Sequence, residues 1–419
     1  MGNNDVTINA STENGSTRRV SMSSFGALSV DVVGPVSAFG EIDVVQAMGA
    51  LQNDFVYVIN DEIWTETVTG SGAISVASGM GKASTTAATS SSAIVESKHA
   101  FKYRPGQGVK ALFTAIFSAP VAGSTQYIGV GTAANGFFFG YDTNGDFGVL
   151  RRNDSSETFV KQSDWNRDVM DGSNNVFNPT GYNMTDTTRQ NGNVYRIDFQ
   201  WLGFGMIRFM IEHPETGQFI PCHYVEYAAS ATTPSVRNPS FPTRMEVINT
   251  TNNTDIVMQS ACMAVFNEGP RNFNGVHYSS ENTKTSVGTT LTNILTLRNL
   301  TTFGGITNMV PVHIAFISAA ADGTKPAVVK IVEGATLGGT PSFADFDTGN
   351  SCMQIDTAGT TVSGGAQKLS LALGKVEGKE LNLHEFHIEL KPGEDLTFAA
   401  QATSGTTDIT ISVIWGEDQ

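Results

Sequence analysis

The densest gathering of chemically capable side chains is the run Asp164-Trp165-Asn166-Arg167-Asp168-Val169-Met170-Asp171-Gly172. Carboxylates beside an aromatic ring are the ingredients of sugar chemistry. A glycosidase holds two carboxylates about 5–10 Å apart across the scissile bond. Spacing in sequence does not give spacing in space, however, and Asp also turns and caps chains at little cost. A structural loop is the plain expectation for this run. The sharper one is a sugar contact made by Trp165, Asp168, Asp171 and, further on, Tyr182.

The other motifs point to less. Asp142-Thr143-Asn144-Gly145-Asp146 opens like a calcium loop, but an EF-hand wants Gly at its sixth position and Glu at its twelfth, where Phe147 and Asn153 stand. A hairpin turn is expected there. If Leu383–Leu390 is a strand, His384, Phe386 and Ile388 share one face, and Glu385, His387 and Glu389 the other. A solvated strand face is expected before a metal site built on His387. Cys222 and His223 are neighbours, and adjacent strand residues point to opposite faces, which argues against a thiol–imidazole dyad. The cysteines (Cys222, Cys262, Cys352) have no zinc-type spacing, and their odd number argues against a disulfide framework. There is no Gly-x-Ser-x-Gly elbow, and neither Gly129-Val130-Gly131 nor Gly203-Phe204-Gly205 opens a helix. From sequence, then, the chain is expected not to be an enzyme, with no catalytic residue, cofactor or metal assigned.

The elements that must carry these residues are strands. The chain has 419 residues and a net charge of −15, which argues against binding nucleic acid. Only 16% of residues are charged, against about 25% in an average globular protein. An apolar fraction of 40%, with 25 Phe, can fill a core. The N-terminus lacks the basic and apolar regions of a secretory signal, Val6 sits where myristoylation wants Ser or Thr, and no run approaches 18 apolar residues. Membrane insertion is not expected. Residues 1–38 are rich in Ser, Thr, Asn and Gly and read as an extended anchoring arm. Within it Val30, Val32, Val33 and Val36 belong to a stretch with two readings of equal weight, a strand that pairs with a partner subunit or a loose tail. Across 39–62, Val44, Val45, Met48, Leu51 and Phe55 fall near helical spacing, weakened by Gly49, and predict a short helix. From Ile94 onward, alternating runs are punctuated by turn signals. Two of these, at Asn135-Gly136 and Asn144-Gly145, suit type I′ hairpins. A polar stretch near Gly269–Val287 reads as a boundary, and about seven short alternating runs follow it. The expectation is an all-β chain with two β-sandwich domains of jelly-roll or concanavalin-like type, at 39–275 and 276–419, preceded by the arm and the short helical segment.

Several segments carry a resemblance: Gln162-Ser163 through Trp165, Asp168 and Met170-Asp171-Gly172; then Val194-Tyr195 through Trp201, Gly205 and Phe209; with Phe39-Gly40-Glu41, Tyr103-Arg104-Pro105-Gly106-Gln107 and Pro214-Glu215-Thr216-Gly217. Together they resemble virion structural proteins of tailed phages and some large DNA viruses, of the fibre, spike or appendage type, over about residues 39–268. The ending, from Leu390 through Pro392-Gly393-Glu394 to Trp415-Gly416-Glu417, is similar to the C-terminal domain of such proteins. The chain departs from the pattern in its residues before Phe39 and in a longer Asn174–Asn193 segment. The resemblance implies a virion location, a sandwich fold and no catalytic residues to transfer. It also implies a capsid- or tail-attached appendage that docks through its arm. Its partners would be other virion proteins (capsid, portal or tail components) and copies of itself, a trimer being favoured, although no sustained heptad is present. The alternative is a lectin-like module that recognises a host-surface glycan, and behind it a polysaccharide depolymerase.

Overall fold

Alternation at every second residue builds the elements. In Val109–Phe117 the side chains of Val109, Ala111, Phe113, Ala115 and Phe117 are buried, while Lys110, Leu112, Thr114 and Ile116 are half-buried on the other face. This is the period-2 pattern of a strand with one face on a core. The computed structural model describes residues 9–11, 17–19, 46–172, 177–180, 182–183, 186–270, 275–386 and 388–419. It divides into two units, Met1–Gln46 and Ala47–Gln419. In the first, Asn9–Ser11 pairs antiparallel with Thr17–Arg19. The expected assembly contacts at Val30, Val32, Val33 and Val36 lie outside the described residues.

The second unit is all-β and holds two sandwiches. In the first, a seven-stranded sheet runs in the order Ser156–Lys161, Phe147–Asn153, Gly136–Tyr141, Ser124–Gly131, Thr243–Asn249, Ser91–Ser97, Trp64–Thr69. It faces a nine-stranded sheet whose main path is Phe219–Val225, Ile207–Glu212, Asn193–Phe199, Val109–Phe117, Val257–Ser260, Met80–Ser84, Ala73–Ala77. Aromatic rings fill the space between them. Phe139 of the first sheet lies 4.9 Å from Tyr195 and 5.3 Å from Phe209 of the second, centroid to centroid. The second sandwich closes a separate core around Trp415, Phe398 and Leu297. Its sheets are five-stranded, around Thr407–Glu417 and Val312–Asp322, and six-stranded, around Thr292–Asn299 and Asp395–Ala402.

Among the described residues of 39–62 the expected helix is not formed, and Val44 and Val45 lie outside them. Ala47–Asp54 is a strand, paired antiparallel with Cys262–Glu268 and completing the nine-stranded sheet. The helical spacing of Met48, Leu51 and Phe55 was a coincidence of few apolar residues. A register shift opposite Val265 and Phe266 accommodates the irregular pattern, and ladder pairing to a buried neighbour outweighs local propensity. The two expected hairpins form with longer loops than a type I′ turn. Gly131 pairs with Gly136 across a four-residue loop, and Tyr141 with Phe147 across five residues. In the latter, the Asp142 carboxylate accepts the backbone N–H groups of Asn144 and Asp146, both at 2.9 Å. That carboxylate is spent on the turn.

The far side of the seven-stranded sheet is also packed. Tyr127, Phe138 and Leu150 form a small cluster there. Phe138 lies on glycine backbone: a Cβ at Gly131 or Gly136 would come within 2.8 Å of its ring. Beside it, Arg152 stacks 4.9 Å from the Phe138 centroid and donates to Glu246 and Glu157, while Arg244 donates to Glu246 and Glu96. Glu246 is 1% exposed.

The two sandwiches meet through ion pairs. Arg104 donates to Asp418 at 2.6 Å, His99 Nδ1 lies 3.2 Å from Glu389, and Lys368 donates to Glu62 at 2.8 Å. The Lys391 ammonium also donates to the Glu62 carbonyl.

Candidate functional site

The sequence singled out Trp165 as a sugar platform, but its ring belongs to the core. It is 5% exposed and packs edge-to-face on Phe139 and Phe147, at 6.4 and 6.0 Å. Asp168 accepts the Met170 N–H at 2.8 Å and shapes the loop, whose backbone is tied down further by Gln162 and by the Cys222 carbonyl. Asp171 is exposed at the loop's end. Tyr182 sits in the short strand Tyr182–Asn183, and its side chain is outside the described residues. The loop therefore places Trp165 inward and spends Asp168 on its own backbone.

The histidine motif also differs from its expected form. His384–Phe386 is a 3-10 turn rather than strand, and His387 is outside the described residues. Among the described residues, no three His, Cys, Asp or Glu side chains come together as a metal-holding group. No helix among them is long and apolar enough to cross a membrane. A bulge at Phe209/Met210 leaves Cys222 and His223 both buried. Burial pushes the Cys222 thiol well above its ordinary pKa, with Asp168 adding to the effect. Burial, then the nearby Arg167, pushes His223 below its own. Neither shift helps a thiolate–imidazolium pair form.

What the fold does gather is one loop end of the first sandwich. The turns at 132–135 and 154–155 and the segment 235–242 lie at the same end of the seven-stranded sheet, because Gly131 pairs with Gly136, Asn153 with Ser156, and Thr243 with Val130. They wall a cleft of about 230 Å³, closed on its other side by Gly305, Ile306 and Thr307 of the second sandwich. Asn135 is its keystone. Its side-chain oxygen accepts the N–H groups of Asp154 and Arg237, both at 3.1 Å, and so fixes three loops at once. Thr132 Oγ1 accepts from Ala134 and Asn135 beneath it. Arg237 then reaches across to Asp154 at 3.1 Å. That ion pair is half exposed on both sides and adds little stability. It does leave one carboxylate oxygen and two guanidinium nitrogens beside the Asn135 and Asn238 amide nitrogens, all without a protein partner among the described residues.

A larger cleft of about 340 Å³ lies at the junction, between His277, His313, Glu389 and Asp418. Asp418 and Glu389 in its wall pair with Arg104 and His99 of the first sandwich, and His313 lies 3.8 Å from Glu389 within the second, which gives the cleft a holding role.

Asp154 and Arg237 carry no motif of their own. The turn-rich Asn153-Asp154-Ser155-Ser156 was the available signal for the first; nothing in the sequence flags the second.

No protein-family model matches the sequence, and no curated protein matches it. Among solved structures, the chain is similar to a Lotus tetragonolobus seed lectin (9% identity, 53% of this chain and 100% of that one, TM-score 0.33). It is also similar to the carbohydrate recognition domain of Emp47p (10% identity, 52% and 95%, TM-score 0.32). A third is a glycosyl hydrolase family protein from Mycobacterium fortuitum (12% identity, 52% and 99%, TM-score 0.35). At such scores these likenesses add nothing to the sandwich architecture seen directly.

Proposed function

We propose that the chain is a carbohydrate-recognition protein that binds without turnover, through the loop-end cleft of its first sandwich. The observation that carries this reading is the set of amide, carboxylate and guanidinium groups fixed around Asn135 with hydrogen-bonding capacity left over. A hydroxyl-rich ligand both donates and accepts, and a site holding both kinds of group on rigid loops suits it. The cleft brings a single carboxylate, Asp154, where hydrolysis by the usual route needs two. The test is titration of the full chain against a neutral and charged glycan library. Asp154→Asn should weaken the best ligand about tenfold, as loss of a charged hydrogen bond does, while stability stays within about 0.5 kcal/mol because the ion pair is exposed and Asn tolerates the left-handed backbone at this position. Unchanged affinity in that variant opposes the reading.

A second reading concerns the setting. The ion-paired junction suits a projecting virion appendage, since it locks the first sandwich, which carries the binding end, to the second. Such appendages work as oligomers. The full chain is expected to run as a homo-trimer in mass photometry, and a monomer across the accessible concentration range opposes this setting.

A further inference from the structure

Large apolar side chains face solvent from one connection between strands. In the hairpin that joins Asn193–Phe199 to Ile207–Glu212, Leu202 is 55% exposed, and Phe204 and Met206 are each 38% exposed. Single exposed apolar residues are ordinary, but alternate positions of one loop make a patch. The Phe204 ring lies on Tyr227, with centroids 6.2 Å apart and planes within 28°. The Arg151 guanidinium in turn lies 5.2 Å from the Tyr227 centroid. An aromatic ring is thus presented to solvent from a packed backing.

The loop that presents it is tied down. The Gly205 N–H donates to the Trp201 carbonyl at 2.7 Å and the Ser235 N–H to the Gly203 carbonyl at 2.8 Å. The Leu202 N–H donates to the Tyr103 hydroxyl at 3.1 Å, and the Trp201 indole to the Val236 carbonyl at 3.2 Å. Leu202 has a φ of 40°, in the left-handed region where Gly or Asn is usual. Folding gains little from a leucine there, since its backbone is strained and more than half of its surface stays wet. A strained position that holds an apolar side chain outward suits a contact with something outside the chain.

The patch is joined to the loop-end cleft by a short segment. The Pro234 carbonyl oxygen lies 3.5 Å from the Tyr227 hydroxyl and 3.3 Å from the Asn153 amide nitrogen. Asn153 precedes Asp154, and Pro234 stands just before Arg237, the pair that walls the cleft. Arg151, which backs Tyr227, also donates to the Ser235 carbonyl at 2.7 Å. Residues 234–237 therefore connect ring and cleft, and span at most about 11 Å.

A pyranose carries hydroxyl groups round its edge and C–H groups on its faces. The C–H groups are slightly positive and meet the negative face of an aromatic ring. A single sugar seated in the polar cleft leaves the ring uncovered, whereas a chain of sugars reaches both. We propose that Phe204, flanked by Leu202 and Met206, is a stacking subsite for a further sugar of an oligosaccharide whose first sugar lies in the loop-end cleft. The inference rests on the carbohydrate reading and narrows its ligand class to oligosaccharides of equatorially linked pyranoses, whose flat faces expose C–H groups.

The full chain is titrated with cello-oligosaccharides of increasing length, starting from glucose, beside malto-oligosaccharides, whose axial bonds coil the chain. Affinity for the cello series should rise about fivefold to tenfold as the chain lengthens past the first sugar, and then level off. The malto series should gain less. Phe204→Ala should remove the gain, its effect growing with chain length, whereas Phe204→Trp should keep it. Asp154→Asn should lower affinity at every length, which separates the two subsites. Leu202→Gly should weaken the longer chains with the melting temperature no lower, because the backbone strain is relieved. If the cello series binds without a gain in length, or Phe204→Ala keeps the gain, the inference falls and the cleft reading stands. If other glycans bind and the cello series does not, the ligand class is wrong and the proposal is overturned. If no glycan binds at all, both readings fall. If Phe204→Ala changes the oligomeric state in mass photometry and not the affinity, the patch is an interface between copies and the proposal is overturned.

Discussion

Glu246→Ala is expected to cost about 3–5 kcal/mol of stability, the usual price of removing one partner from a buried ion pair. Glu246 lies on the far side of the seven-stranded sheet and is 1% exposed. It accepts from Arg152 at 2.5 Å and from Arg244 at 2.7 Å. Truncation leaves two guanidinium groups short of a counter-charge, and Arg152 already has one nitrogen buried without a partner. Arg152 keeps Glu157 and Arg244 keeps Glu96, so Glu246→Gln should cost clearly less than Glu246→Ala. For a sandwich of this size the loss corresponds to a fall of about 6–20 °C in its melting transition, read by differential scanning calorimetry. A shift under 2 °C would refute the assignment.

The same carboxyl gives a signed pH dependence. Burial alone would raise its pKa, but Arg152 and Arg244 overcome that and hold it below the ordinary value. A depressed folded-state pKa adds stability that is present above the unfolded value and is lost as pH falls through the folded one. Its neighbour Glu96 goes the other way, because burial outweighs the pull of Arg244. The wild-type melting temperature should therefore fall on acidification below about pH 4.3, the ordinary Glu value. Glu246→Gln should show a shallower fall over that range.

The fold class was legible because alternation is a local property. Runs such as Val109–Phe117 state their own buried face, and the Asn-Gly pairs mark hairpins even where the loops are longer than expected. The strand at Ala47–Asp54 was not legible. Its identity depends on Cys262–Glu268, more than 200 residues away, and five apolar residues fit a helical wheel equally well. The candidate site was illegible for a related reason. Asp154 and Arg237 are 83 residues apart and meet only because two turns share one end of a sheet. Trp165 misled in the opposite sense: an aromatic among aspartates looks like a surface platform, and composition does not say which way a ring points.

Phe139→Ala is expected to cost about 3–5 kcal/mol as well, by leaving a cavity where four rings converge. Phe139 is fully buried and touches Phe113, Tyr195, Phe209 and Trp165, at centroid distances between 4.9 and 6.4 Å. These rings belong to three strands of the nine-stranded sheet and to the 162–172 loop, so the space cannot close by movement of one side chain. Phe139→Leu keeps most of the volume and should cost less. Trp165→Ala opens the same cluster from the loop side and should destabilise by a similar amount, whereas a surface platform would lose ligand affinity at constant stability. In the double variant the two losses should fall short of additivity, because each removes contacts with the other. Calorimetry should place both losses in one melting transition and leave the second sandwich, whose core around Trp415 is separate, melting where it does in the wild type. A Trp165→Ala protein that melts like wild type would return that residue to the surface.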